Sequence, residues 1–119
     1  NECAFKFIDK PNVNLFYGHS NDKMDEMLNL VDSPALFWLD GHVDGVNADC
    51  LWDELEHIKN HTIKTHTIIV DDVRILGKEG WGTEVVLDKI IGLIKEINPD
   101  YTISYDDGEC ENDVLIAKV

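Results

Sequence analysis

Two short apolar runs, Ala35-Leu36-Phe37-Trp38-Leu39 and Thr67-Ile68-Ile69-Val70, each stop at carboxylates, the first at Asp40-Gly41-His42 and the second at Asp71-Asp72. Unbroken runs of this length, rich in aromatic and β-branched residues, predict strands over residues 35–40 and 66–71 that are buried on both faces, as in parallel sheets covered by helices. Between and around them the apolar period lengthens. Met24, Met27, Leu28 and Val31 predict a helix through Leu30 capped by Ser20 or Asn21, with the methionines as core. Leu51, Leu55 and Ile58 share one face of a helix from about Cys50 to Asn60, with Glu54, Glu56 and Lys59 turned outward. Val85, Val86, Ile90, Leu93, Ile94 and Ile97 form a broad stripe that Asn98-Pro99 ends. Val13-Asn14-Leu15-Phe16-Tyr17 predicts another strand, and residues 101–105 and 114–119 a final antiparallel pair joined by the acidic turn Asp106-Asp107-Gly108-Glu109. Residues 1–9, carrying Cys3, Phe5, Phe7 and Ile8, fit the end of a helix or an edge strand. Strands alternating with helices imply βαβ crossovers, hence one three-layer α/β domain over residues 1–119 with a mainly parallel sheet. No linker or internal repeat divides it.

Charge narrows the partners. With 24 acidic against 10 basic residues the net charge is −14, which repels phosphate backbones and anionic lipid, so nucleic acid and membrane surfaces are poor partners and a cation is a good one. Cys3, Cys50 and Cys110 form an odd set without CxxC spacing, the pattern of free thiols in a reducing compartment. No apolar run approaches the roughly 20 residues that span a bilayer, and the amino terminus lacks the features of a signal peptide. A soluble, cytoplasmic protein is expected.

Open α/β sheets bind ligands beyond the carboxyl ends of their strands, which is where Asp40, His42, Asp71 and Asp72 would collect. Magnesium and calcium prefer oxygen ligands, and Asp40 with Asp71 or Asp72 could hold one. Strand ends about 5 Å apart, or about 10 Å if one strand intervenes, can be bridged in this way. Because successive strand residues point to opposite faces, Asp71 and Asp72 can serve one ion only if the backbone has left the strand at that point. The plainer alternative is that one caps the following turn and the other pairs with Arg74. His42 could be a base, a ligand, a substrate contact or a solvated loop residue. The loop from Asp40 to Gly45 begins like a helix–loop–helix calcium loop but has Leu51 where the bidentate glutamate belongs, so that reading fails. Gly77, Gly80 and Gly82 do not follow a phosphate-loop spacing and read as a flexible connection.

The succession Asn12-Val13-Asn14-Leu15 with Gly18-His19-Ser20, then Leu36-Phe37-Trp38-Leu39-Asp40-Gly41-His42, Leu51-Trp52-Asp53-Glu54-Leu55 and Ile68-Ile69-Val70-Asp71-Asp72-Val73-Arg74, resembles the carboxyl-terminal half of class I S-adenosylmethionine-dependent methyltransferases. It is most similar to bacterial small-molecule methyltransferases, and more distantly to metal-dependent O-methyltransferases. The resemblance implies a Rossmann-like sheet of seven strands in the order 3-2-1-4-5-7-6, with adenosylmethionine as cofactor. It also implies that Asp40, Asp71 and Asp72 hold magnesium or calcium against the oxygens of a small hydroxylated substrate, with His42 as a possible base. The implied first two strands, with their glycine-rich cofactor loop and ribose-binding acid, have no counterpart in the sequence. Their absence predicts exposed strand edges, and therefore a fragment, a half completed by a partner, or a degenerate relative, with a homodimer compatible with each. The alternative from another class is a non-catalytic α/β module that self-associates through those edges. A nucleotide-sugar transferase using Asp71-Asp72 would also place acids at a strand end, but no diphosphate-binding surface accompanies them.

Overall fold

The computed structural model of the chain describes residues 6, 8–41, 49–79 and 85–119. Its elements are α1 (Ser20–Asn29), β1 (Leu36–Leu39), α2 (Asp49–Asn60), β2 (Thr67–Val70), a short 3-10 turn (Val73–Ile75), α3 (Leu87–Ile97), β3 (Thr102–Asp106) and β4 (Val114–Lys118). The strands form one sheet in the order β1-β2-β4-β3. β1 and β2 are parallel, with Leu39 opposite Val70, whereas β4 runs antiparallel to both β2 and β3. The sheet is therefore mixed: β1, β2 and β3 share one direction, and β4, inserted between β2 and β3, alone runs against them. The terminal hairpin forms as its alternation predicts.

One face of the sheet carries Leu39, Ile68, Val70, Leu115 and Ala117, and all five pack with α1, α2 and α3 in a single core. Met24 and Leu28 of α1, Leu51, Leu55 and Ile58 of α2, and Ile90, Leu93, Ile94 and Ile97 of α3 fill its helical side, as their periodicity predicts. The opposite face is not covered by any described element. Leu36 is 62% and Trp38 54% exposed there, and Ile69 and Ile116 are half-buried. The expected three layers are thus two among the described residues, and β1 is buried on one face only.

The strand predicted at 13–17 is also corrected. These residues are irregular, and Leu15 and Tyr17 are exposed; among the described residues no strand pairs with them. Most of the segment 1–9, and Gly80 and Gly82, lie outside the described residues. The cap of α1 is His19, whose Nδ1 accepts from the Asn21 amide at 3.4 Å. The Ser20 hydroxyl is engaged elsewhere, donating to Glu54 Oε1 at 2.6 Å. That bond explains why Glu54, expected on the outer face of α2, is 4% exposed: it ties α2 to α1. Asn98 ends α3, its side chain donating to the Lys64 carbonyl at 3.0 Å.

Below the amino-terminal ends of β1 and β2 lies His66, fully buried. Its Nδ1 accepts from the Ala35 amide at 2.9 Å, so its proton sits on Nε2 and is donated to His61 Nδ1 at 3.0 Å. The Tyr101 hydroxyl donates to the His66 carbonyl at 2.5 Å. Burial, and then the neighbouring His61, push the His66 pKa below the ordinary 6.5. The unfolded chain therefore takes up a proton near pH 6.5 that the folded chain refuses. His66 leaves stability intact above that pH and erodes it as pH falls from there toward its depressed value. An imidazole titration by nuclear magnetic resonance should show His66 as the Nε2-protonated tautomer, titrating below 6.5. A value at or above 6.5 contradicts this arrangement.

Candidate metal centre

Asp40 is the first residue after β1 and Asp71 the first after β2. Because the two strands are parallel neighbours in register, both leave the sheet at the same end and level. The Asp71 amide donates to the Leu39 carbonyl at 3.1 Å, continuing the ladder one step past the strands. Asp72 then adopts a left-handed conformation (φ 57°, ψ 43°). Aspartate tolerates this region better than most residues, at a cost of about 1 kcal/mol. The turn breaks the alternation that would send Asp72 to the opposite face. Ligand oxygens of Asp40, Asp71 and Asp72 consequently all lie within 4.8 Å of one another, with Asp40 exposed and the other two half-buried.

The loop is held from both sides. Asp71 Oδ1 accepts from the Asp72 amide at 2.9 Å. Asp72 Oδ1 accepts from Arg74 Nη1 at 3.0 Å, so the anticipated pairing of Arg74 with an acid of this motif exists alongside the cluster. The same guanidinium bonds Asp113 through Nη1 and Glu109 Oε2 through Nη2 at 3.1 Å. Asp113, buried just before β4, also accepts from the Arg74 amide at 3.0 Å, and its carbonyl accepts from Val73 at 3.0 Å. Gly108 of the β3–β4 turn lies against this loop: a Cβ there would stand 3.0 Å from Val114 Cγ2 and 3.5 Å from Asp71 Oδ1. Gly41 similarly lets the chain after Asp40 pass Glu54, where a Cβ would come within 3.1 Å of Oε1.

Beside Asp40 a cavity of about 340 Å³ runs along the free side of β1, between Met24 and Met27 of α1 and Phe37 and Leu39, with Glu54 at its polar end. Its volume falls in the range of small-molecule sites. Cys50 adjoins this region, its thiol directed at the Gly41 carbonyl at 3.8 Å. Burial, and then Glu54, raise its pKa, so it remains a thiol and not a thiolate nucleophile. Cys50 and Cys110, the cysteines among the described residues, are both free.

Of the four residues singled out by sequence, Asp40, Asp71 and Asp72 converge, while His42 lies outside the described residues. Asp113 and Glu54 escaped sequence reasoning. Asp113 carried one signal, a carboxylate placed immediately before an apolar run, where it can face inward and bond a neighbouring loop. No helix among the described residues is long and apolar enough to cross a membrane. No protein-family model matches the chain, and neither does a curated protein or a solved structure.

Proposed function

We propose that Asp40, Asp71 and Asp72 bind a divalent cation, magnesium or calcium, and that the chain belongs to an S-adenosylmethionine-dependent methyltransferase that transfers a methyl group to an oxygen of a small hydroxylated substrate. The observation that carries the proposal is the convergence of three carboxylates at the ends of two parallel neighbouring strands. An all-carboxylate donor set suits a hard cation, which keeps water and substrate oxygens in its remaining positions. The sheet order β1-β2-β4-β3 supports the methyltransferase part, since it corresponds to the order 4-5-7-6 that the sequence resemblance implies for these strands.

A bound cation would supply Lewis acidity toward a substrate hydroxyl. The chain's own residues set the conditions for that chemistry. Asp40, Asp71 and Asp72 would hold the ion, Arg74 offsets part of their mutual repulsion, and the acidic surround favours a cationic sulfonium cofactor. His42 remains the proposed base. Since the glycine-rich turn and ribose-binding acid have no counterpart in residues 1–119, the direct trial on this chain concerns the metal. Calorimetric titration with magnesium and with calcium should give saturable binding at one site. No metal-dependent heat with either ion would remove the proposal.

A second reading is favoured by the free edge of β1. That strand pairs on one side only among the described residues, and it presents exposed Leu36 and Trp38 beside the apolar cavity. In this reading the chain is a non-catalytic module that dimerises by strand pairing, its acids serving solubility and capping. Sedimentation velocity on wild type and Trp38→Lys separates the two readings. A dimer that Trp38→Lys dissolves, together with silent metal titrations, would favour the module.

A further inference from the structure

We infer that Arg74 is the positioning residue of the cation site, holding the Asp72 carboxylate at the rim and locking the β3–β4 turn beside it. This rests on the cation-binding reading above. Three acids from two distant segments meet on one guanidinium: Asp72 Oδ1 at 3.0 Å, Glu109 Oε2 at 3.1 Å, and Asp113. Their exposures differ in a way that assigns roles. The Asp113 side chain is fully buried, Asp72 is 27% exposed and Glu109 77%. Asp113 is thus the anchor, Asp72 the group being aimed, and Glu109 a peripheral contact. The anchor is doubly fixed, because Asp113 also accepts from the Arg74 amide.

Arg74 is thus tied to a buried acid through both its amide and its guanidinium, and through Nη1 it ties Asp72 to the same anchor. Charge-assisted bonds from a planar guanidinium fix orientation in a way that an ammonium cannot. Without the grip, Asp72 would keep its left-handed backbone but its side chain would be free to rotate away from Asp40 and Asp71. Outer partners that orient metal ligands typically carry 10–100-fold of affinity.

Simple electrostatics makes the opposite prediction, which gives the inference its test. Removing a positive charge next to a cation site should tighten cation binding if charge is all that Arg74 contributes. The probe is terbium(III) alone, used as a luminescent calcium substitute, with affinity from titration and coordinated water from emission lifetimes in H₂O and D₂O. Arg74→Met is expected to bind terbium about tenfold or more weakly than wild type and to show a more hydrated ion, with a shorter emission lifetime in H₂O as additional coordinated water replaces Asp72. Arg74→Lys keeps the charge but not the fork and should fall between the two. Thermal melting of each variant checks folding, and if Arg74→Met does not fold because Asp113 is left unpaired, Arg74→Lys decides the question. Binding by a folded variant that is unchanged or tighter, with unchanged hydration, overturns the role of Arg74 while leaving the site intact. No terbium binding by wild type overturns the cation site itself.

Discussion

Leu115→Ala is expected to lower the free energy of unfolding by about 2–5 kcal/mol. Leu115 is fully buried on β4, one of the two central strands, where it stands opposite Val70 on β2 and Tyr105 on β3. Truncation there opens a cavity in the core, and neither neighbouring strand can move in without breaking its own ladder. A domain of this size has about 5–15 kcal/mol in all, so the variant should sit close to the threshold of unfolding. Urea denaturation with an unchanged slope would read the loss directly. Leu36→Ala, on the uncovered face, provides the contrast and should cost no more than about 0.5 kcal/mol. Equal losses at the two positions would contradict the two-layer arrangement.

The second large effect concerns the cation. Asp71→Asn and Asp72→Asn preserve size, and asparagine tolerates the left-handed backbone at position 72 as readily as aspartate does. Each substitution removes a full charge and an anionic oxygen from a site built of three. The loss of magnesium or calcium affinity should therefore exceed the 10–100-fold typical of disturbing an outer partner. Asp53→Asn, an exposed acid of α2, changes the net charge equally and should leave affinity nearly unchanged. If all three variants weakened binding alike, the effect would be diffuse electrostatics and not coordination.

The two strands that carry the acids were legible because four to five consecutive apolar residues ending at a carboxylate leave few alternatives to a strand end. The helices were legible for the same kind of reason, with Leu51, Leu55 and Ile58 recurring on one face and Glu54 alone crossing over. What a run such as Leu36-Phe37-Trp38-Leu39 does not encode is how many faces are covered. Leu36 and Trp38 are as apolar as their neighbours, yet they face away from the core because the described residues supply no second helical layer. Val13–Tyr17 fails as a strand for a related reason: β propensity describes fit to a neighbouring strand, and none pairs with it among the described residues. The insertion of β4 between β2 and β3 is a long-range choice that no local period records, and only the strand order implied by the resemblance anticipated it.

The candidate site divides along the same line. That Asp40 and Asp71 share a rim could be anticipated from strand ends. That Asp72 joins them required the backbone to turn left-handed directly after β2, a condition recognisable from alternation but settled only by the φ of 57°. The Arg74–Asp113 anchor spans 39 positions of sequence, and pattern reasoning, which works over windows of one element, has no access to it.

The most direct measurement of the central claim is anomalous diffraction from crystals of the chain grown with manganese(II), which takes the same oxygen donors as magnesium. One strong peak is expected at the carboxyl ends of β1 and β2, bonded to carboxylate oxygens of Asp40, Asp71 and Asp72. A map without a peak there, or one in which the three side chains diverge around separately bound ions, would contradict it.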